Sequence, residues 1–157
     1  MIPENWRRIA AIHQQSDGMV AAVWLAVDRD ADVVHLYDCC LFKREVLAVI
    51  AEGLNARGKG VPVAWCEDAK ILAEKLDERG CNMLSDGVKD TLPMAEVTAR
   101  DIWERMRTGR FRVDKRNAEW LDEYRTYFRK DAGIPLEGSP LMKIGRASCR
   151  ERVYVLV

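Results

Sequence analysis

The stretch "IAAIHQQSDGMVAAVWLAVDRDADVVHLYD", Ile9 to Asp38, reads as strand, polar loop, strand, acidic turn, strand. Its first strand belongs to "RRIAAI" (residues 7–12), a short apolar run that ends on His13 and two glutamines. Residues 20–27 are continuously apolar, and residues 33–42 ("VVHLYDCCLF") are rich in β-branched and aromatic side chains, which suit a pleated surface. The tight polar "DRDAD" between them fits a hairpin turn. Three strands in an antiparallel meander are therefore expected. They raise a question: why does a buried strand deliver His13 to its end, a place where acid–base or metal chemistry is often built?

Downstream the apolar period changes from two to about three and a half. Val46, Leu47, Ile50 and Leu54 predict a helix over residues 43–57, with Gly58 in a natural capping place. "VPVAW" (residues 61–65) predicts a short buried strand, followed by "CEDAK" and a helix that closes at Gly80. "CNML" (residues 81–84) predicts a further strand. A helix over residues 93–108 is expected to carry Val97, Ile102, Trp103 and Met106 on one side. "GRFRV" then predicts a strand and "RNAEWLDEYRTYF" an amphipathic helix. The order βββ-α-β-α-β-α-β-α implies an α/β mixed sheet, a three-strand meander plus parallel strands, flanked by helices.

Composition narrows the setting. At 157 residues the chain is one domain with a core of its own, and its 25 Lys+Arg and 25 Asp+Glu balance. Bulk charge therefore names no partner, and nucleic-acid binding would need a local basic face. No apolar run approaches a membrane span, and "MIPENWRR" has no secretory character, so a cytoplasmic location is expected. The five cysteines form no CxxC pair, so zinc ligation is not expected and reduced core thiols are. Residues 144–157 ("IGRASCRERVYVLV") show no period and resemble a translated sequencing adapter. The credible domain is residues 1–143. Deleting 144–157 is expected to leave the melting temperature almost unchanged, because an Arg-rich segment is not buried unpaired without a large desolvation cost; a drop of many degrees would make the tail part of the fold.

The candidate site residues each have an ordinary reading beside the chemical one. Asp68 follows a buried strand and opens a helix, so it either caps helix amides or ligates a hard cation such as Mg²⁺. Asp17 in "SDG" is a turn former before it is a ligand. His13 is a metal ligand, a base, or a hydrogen-bonded histidine. Trp24, Trp65, Trp103 and Trp120 fall on apolar faces and read as core. "RTGRFRVDKR" (residues 107–116) is the one dense basic segment, with Phe111 inside it, and either meets nucleic acid or forms a solvated connection. The chain has no GxxxxGK[ST] and so no P-loop ATPase.

Taken as a set, "RRIAAI…DGMVAAVWLAVDRDADVVHLYDC", "ARGKGVPVAWCED", "GCNML", "MRTGRFRV" and "WLDEYRTYFRKDAGI" resemble the C-terminal nuclease domain of the large terminase subunit of tailed bacteriophages. The likeness runs in order from about Trp6 to Met142. It implies an RNase H-like fold and cleavage of concatemeric viral DNA during packaging by three carboxylates that hold Mg²⁺ or Mn²⁺. It also implies double-stranded DNA, the portal and the small terminase subunit as partners, the bacterial host cytoplasm as location, and a separate ATPase motor domain. Two cations a few ångström apart activate a water and stabilise the leaving oxygen of a phosphodiester.

Carried over residue by residue, the resemblance is uneven. The family's first acid corresponds to His13, and its aromatic and glycine loop to Gln14, Gln15 and Ser16, with an acid surviving at Asp17. Its second acid survives as Asp68. Ser139 and Pro140 stand before Leu141 and Met142 where a tandem acid is expected. His13 and Asp68 are thus the catalytic positions, with Asp68, Asp17 and Glu137 as metal ligands, in a site poor in carboxylate. The expectation is an impaired metal-dependent nuclease. The alternatives are another RNase H-like nuclease or resolvase using Asp17, Asp38, Asp68 and Glu137, or a non-catalytic domain that binds DNA or a packaging partner. The element order and the family fold both predict that the strand ends at Ile12 and Trp65 lie side by side.

Overall fold

A computed structural model describes residues 1–89 and 92–127; Glu137, Ser139, Pro140 and residues 144–157 lie outside the described residues. The elements are β1 (Arg7–Gln14), β2 (Val20–Asp28), β3 (Val33–Phe42), α1 (Leu47–Ala56), β4 (Val63–Trp65), a 3₁₀ turn (Glu67–Ala69), α2 (Lys70–Glu78), α3 (Leu92–Arg107), β5 (Phe111–Val113) and α4 (Ala118–Tyr127). The strands form one sheet in the order β4-β1-β2-β3-β5. The pairs β1/β2 and β2/β3 are antiparallel, as the meander predicts, while β4 lies parallel to β1 and β5 parallel to β3.

Because strand side chains alternate, the sheet buries two faces, which is why β1 and β2 read as unbroken apolar runs. Ile9, Ala11, Ala21, Val23, Leu25 and Leu36 face a core closed by Ile102 of α3 and Trp120 of α4. Ala10, Ile12, Val20, Ala22, Trp24 and Val63 face the opposite core, closed by Ile50 and Leu54 of α1 and Leu72 and Leu76 of α2. On the α4 side, Trp120 stacks between Phe111 and Tyr124, with centroids 5.9 and 5.6 Å away.

Four expectations are corrected. The helix predicted over residues 43–57 starts at Leu47: Arg44 adopts φ 57°, and Val46 has an extended backbone at the helix N-cap. Residues 81–84 are not a strand. They make one isolated parallel bridge (Val63 with Met83), the chain then turns through Ser85 and Asp86, and a second bridge joins Cys66 to Val88. This irregular segment still satisfies the outer edge of β4, since Val63 N–H donates to Asn82 and Leu84 N–H to the Val63 carbonyl. Trp103 is not core: it is 46 % exposed, and Val97 is exposed too, because the inward stripe of α3 runs through Thr98, Ile102 and Arg105. Phe111 is buried in the sheet core and is not free to stack on a base.

The basic segment is also largely neutralised. Arg107 pairs with Glu104, Arg110 with Asp32 and Arg116 with Asp114. Asp32, at φ 51° in the β2–β3 turn, accepts from both Arg110 (3.1 Å) and the nearly buried Arg105 (3.2 Å), latching the hairpin to α3 and β5. Partial burial alone would raise the Asp32 carboxyl, but the two guanidiniums outweigh it and hold it below the usual carboxylate value. A depressed folded pKa gives stability that is present above the unfolded value, about 4, and lost as pH falls through the folded one. Asp32→Asn is therefore expected to destabilise at pH 7 by about 1 kcal/mol, discounted because Asp32 is exposed and Arg105 retains Asp101. In denaturant melts the deficit should shrink below pH 4; a deficit unchanged at pH 2–3 would contradict the charge pairing.

Candidate metal and catalytic site at the ends of β1 and β4

Parallel neighbours end on the same side of a sheet. In the β1/β4 ladder Ile12 is the register partner of Trp65, so the predicted adjacency holds. The strand ends then deliver their next residues together. His13 is still within β1, opposite Ala21 on β2, which extends the strand two residues past the predicted end. It does so because the β1–β2 turn is tight: Gln15 N–H donates to the Met19 carbonyl, Gly18 sits at φ 85°, and Asp17 Oδ1 accepts from Met19 N–H at 2.9 Å. Cys66 follows β4, and Asp68 lies in the 3₁₀ turn that leads into α2.

His13, Cys66 and Asp68 each present one ligand atom, and these atoms all lie within 4.8 Å of one another. His13 is 8 % and Cys66 4 % exposed, whereas Asp68 is exposed. His13 shares the α3/α4 face with Ile9 and Ala11 by strand alternation, and Cys66 shares it with Ala64. One buried donor thus lies in β1, the second directly follows β4, and the third stands on an exposed turn.

Among the described residues this is the cluster of three His, Cys, Asp or Glu side chains able to hold a metal, and it contains two of the predicted site residues, His13 and Asp68. Asp17 stays outside it, exposed in the hairpin turn with its carboxylate on its own backbone. Asp38 is also elsewhere. It is the register partner of Trp24, on the α1/α2 face, because a bulge at Tyr37 shifts the β2/β3 ladder between Trp24 and Leu25. Its Oδ2 is taken by Arg57 Nε at 2.8 Å, and the same guanidinium lies 4.9 Å over the Trp24 ring. Glu137 lies outside the described residues. Cys66 is the residue that sequence reasoning did not place in the site. The available signal was its position two residues before Asp68, directly after a buried strand.

The three donors are chemically mixed. Asp68 is the one hard oxygen ligand; imidazole suits Mn²⁺ or Zn²⁺ better than Mg²⁺, and a thiolate suits soft or borderline ions.

No protein-family model matches the sequence, and no curated protein matches it closely. Solved structures do. The nuclease domain of the large terminase of phage P22 superposes with a TM-score of 0.86 at 20 % identity, over 98 % of this chain and 85 % of that one. The fold is that of a terminase nuclease domain. The terminase nuclease of the thermophilic phage G20c, with bound zinc, matches at TM-score 0.61 and 18 % identity over 94 % of this chain and 83 % of its own. The corresponding terminase nuclease domain of phage SPP1, with bound manganese, matches at 0.63 and 13 % over 94 % and 87 %. The terminase nuclease architecture is RNase H-like, as the sequence resemblance implies: a mixed five-stranded sheet between two helical layers. Among the described residues no helix is long and apolar enough to cross a membrane.

Proposed function

We propose that this chain is a terminase-type nuclease domain that engages double-stranded DNA during viral genome packaging and is impaired in metal-dependent cleavage. The observation that carries this reading is the convergence of His13 and Asp68 at the ends of the parallel pair β1 and β4, within a fold shared with terminase nucleases. Asp68 supplies a carboxylate there. His13 supplies an imidazole, which brings no negative charge, where the sequence resemblance implies an acid, so the site has less negative charge with which to gather divalent cations. The portal and the small terminase subunit are the expected protein partners, and the bacterial host cytoplasm the expected location.

The basic segment 107–116 contributes little to DNA binding on this reading, since most of its guanidiniums are occupied. Fluorescence anisotropy with a labelled duplex, across a salt series, tests the proposal. Binding that weakens as salt rises is expected, with a slope that reports the phosphates neutralised. No detectable duplex binding even at low salt, in a chain that melts cooperatively, would overturn it.

A further inference from the structure

We infer that His13, Cys66 and Asp68 form a single-ion site for a borderline transition metal of the zinc class, which ties the end of β1 to the end of β4. This rests on the donor geometry and does not depend on the chain acting on DNA. Four-coordinate zinc takes nitrogen at about 2.0–2.1 Å, oxygen at about 2.0–2.2 Å and thiolate at about 2.3 Å, which places neighbouring donors roughly 3.5 Å apart. The three atoms here lie within 4.8 Å of one another, so modest side-chain rotation closes the set around one ion. The fourth position is left to water on the exposed Asp68 side.

Charge and burial select the metal. A thiolate and a carboxylate together carry two negative charges, and a divalent ion makes the site neutral, which removes the cost of holding a thiolate 4 % exposed. Magnesium does not fit: it binds oxygen in near-octahedral array, and this cluster offers one oxygen ligand beside a nitrogen and a sulfur. His13 lies in β1 paired with Ala21, and Cys66 directly follows β4 and bridges to Val88. Both stand just beyond the last pair of the β1/β4 ladder, Ile12 with Trp65, so two of the three donors are placed by backbone pairing before the ion arrives.

The test is metal binding to the full chain, with no nuclease assay. Zinc is titrated against a chromophoric chelator, and cobalt is used as a spectroscopic stand-in. One tight equivalent per chain is expected, and the cobalt form should show a thiolate charge-transfer band with the intense visible bands of four-coordinate geometry. Cys66→Ser should abolish the charge-transfer band and weaken zinc binding by roughly 100-fold or more, and His13→Ala should weaken it by at least about 10-fold. Asp68→Asn, on an exposed turn, should lower zinc affinity with no change in the melting temperature of the metal-free chain, which keeps the test valid if the buried variants fold poorly. Zinc should raise the melting temperature of the parent chain, and a chelator should reverse the rise. One equivalent bound equally well by Cys66→Ser and Asp68→Asn, or a cobalt spectrum of six-coordinate oxygen type, would overturn the assignment.

Discussion

Supercoiled plasmid incubated with this chain and Mg²⁺ is expected to stay uncut, and substitution of Mn²⁺ is expected to give no more than a trace of nicking. Two-metal hydrolysis needs carboxylates converging from several elements to hold both ions and orient the attacking water. Among the described residues, Asp68 is the one carboxylate in the cluster at the ends of β1 and β4; Asp17 is engaged in its own turn and Asp38 is held by Arg57 on the other face of the sheet. A loss of about 3 kcal/mol of transition-state stabilisation already slows a reaction more than 100-fold. His13→Asp is expected to strengthen Mg²⁺ binding about tenfold or more in calorimetry, since it adds both a hard oxygen and a negative charge. Robust Mg²⁺-dependent nicking by the unmodified chain that disappears in Asp68→Asn would mean that other carboxylates complete the site. Nicking that survives Asp68→Asn would place the site elsewhere.

Trp65→Ala is expected to destabilise the fold by about 3–5 kcal/mol, a large part of the stability of a domain this size. Trp65 ends β4, is buried in the α1/α2 core, and donates its indole N–H to the Leu84 carbonyl at 2.7 Å. It therefore pins the irregular segment 81–88 that completes the edge of β4. Gly87 lies under the same ring: a Cβ there would come within 2.5 Å of it, so Gly87→Ala should cost about 1–3 kcal/mol by overpacking. Chemical denaturation measures both. The Gly87→Ala penalty should largely vanish in the Trp65→Ala background, where the ring that causes it is gone. Additive penalties would mean that Gly87 is needed for its backbone and not for that contact.

The sheet was legible because local signals agreed with it. An unbroken apolar run gave β2, β-branched and aromatic residues gave β3, the acidic "DRDAD" gave their turn, and "VPVAW" before an acid marked the second strand end. What was not legible depended on contacts between distant segments. Residues 81–84 have strand composition, but Trp65 and Gly87 hold them in an irregular edge that composition does not encode. Trp103 has the character of a core residue, yet the helix phase is set by Ile102 and Arg105, the latter drawn inward by Asp32. Cys66 joins the site only because β4 docks parallel to β1 across a separation of more than fifty residues, a pairing that no CxxC spacing announces. His13 and Asp68 were accessible because each sits at the end of a recognisable strand.

The reading of the domain depends above all on the convergence of His13, Cys66 and Asp68, and multidimensional NMR of isotope-labelled protein tests it most directly. Through-space cross-peaks are predicted between the His13 ring and the Cys66 and Asp68 Hβ protons, together with cross-strand peaks between Ile12 and Trp65. A His13 ring with cross-peaks only to other parts of the chain, in a protein whose β1/β2 hairpin is intact, would contradict it.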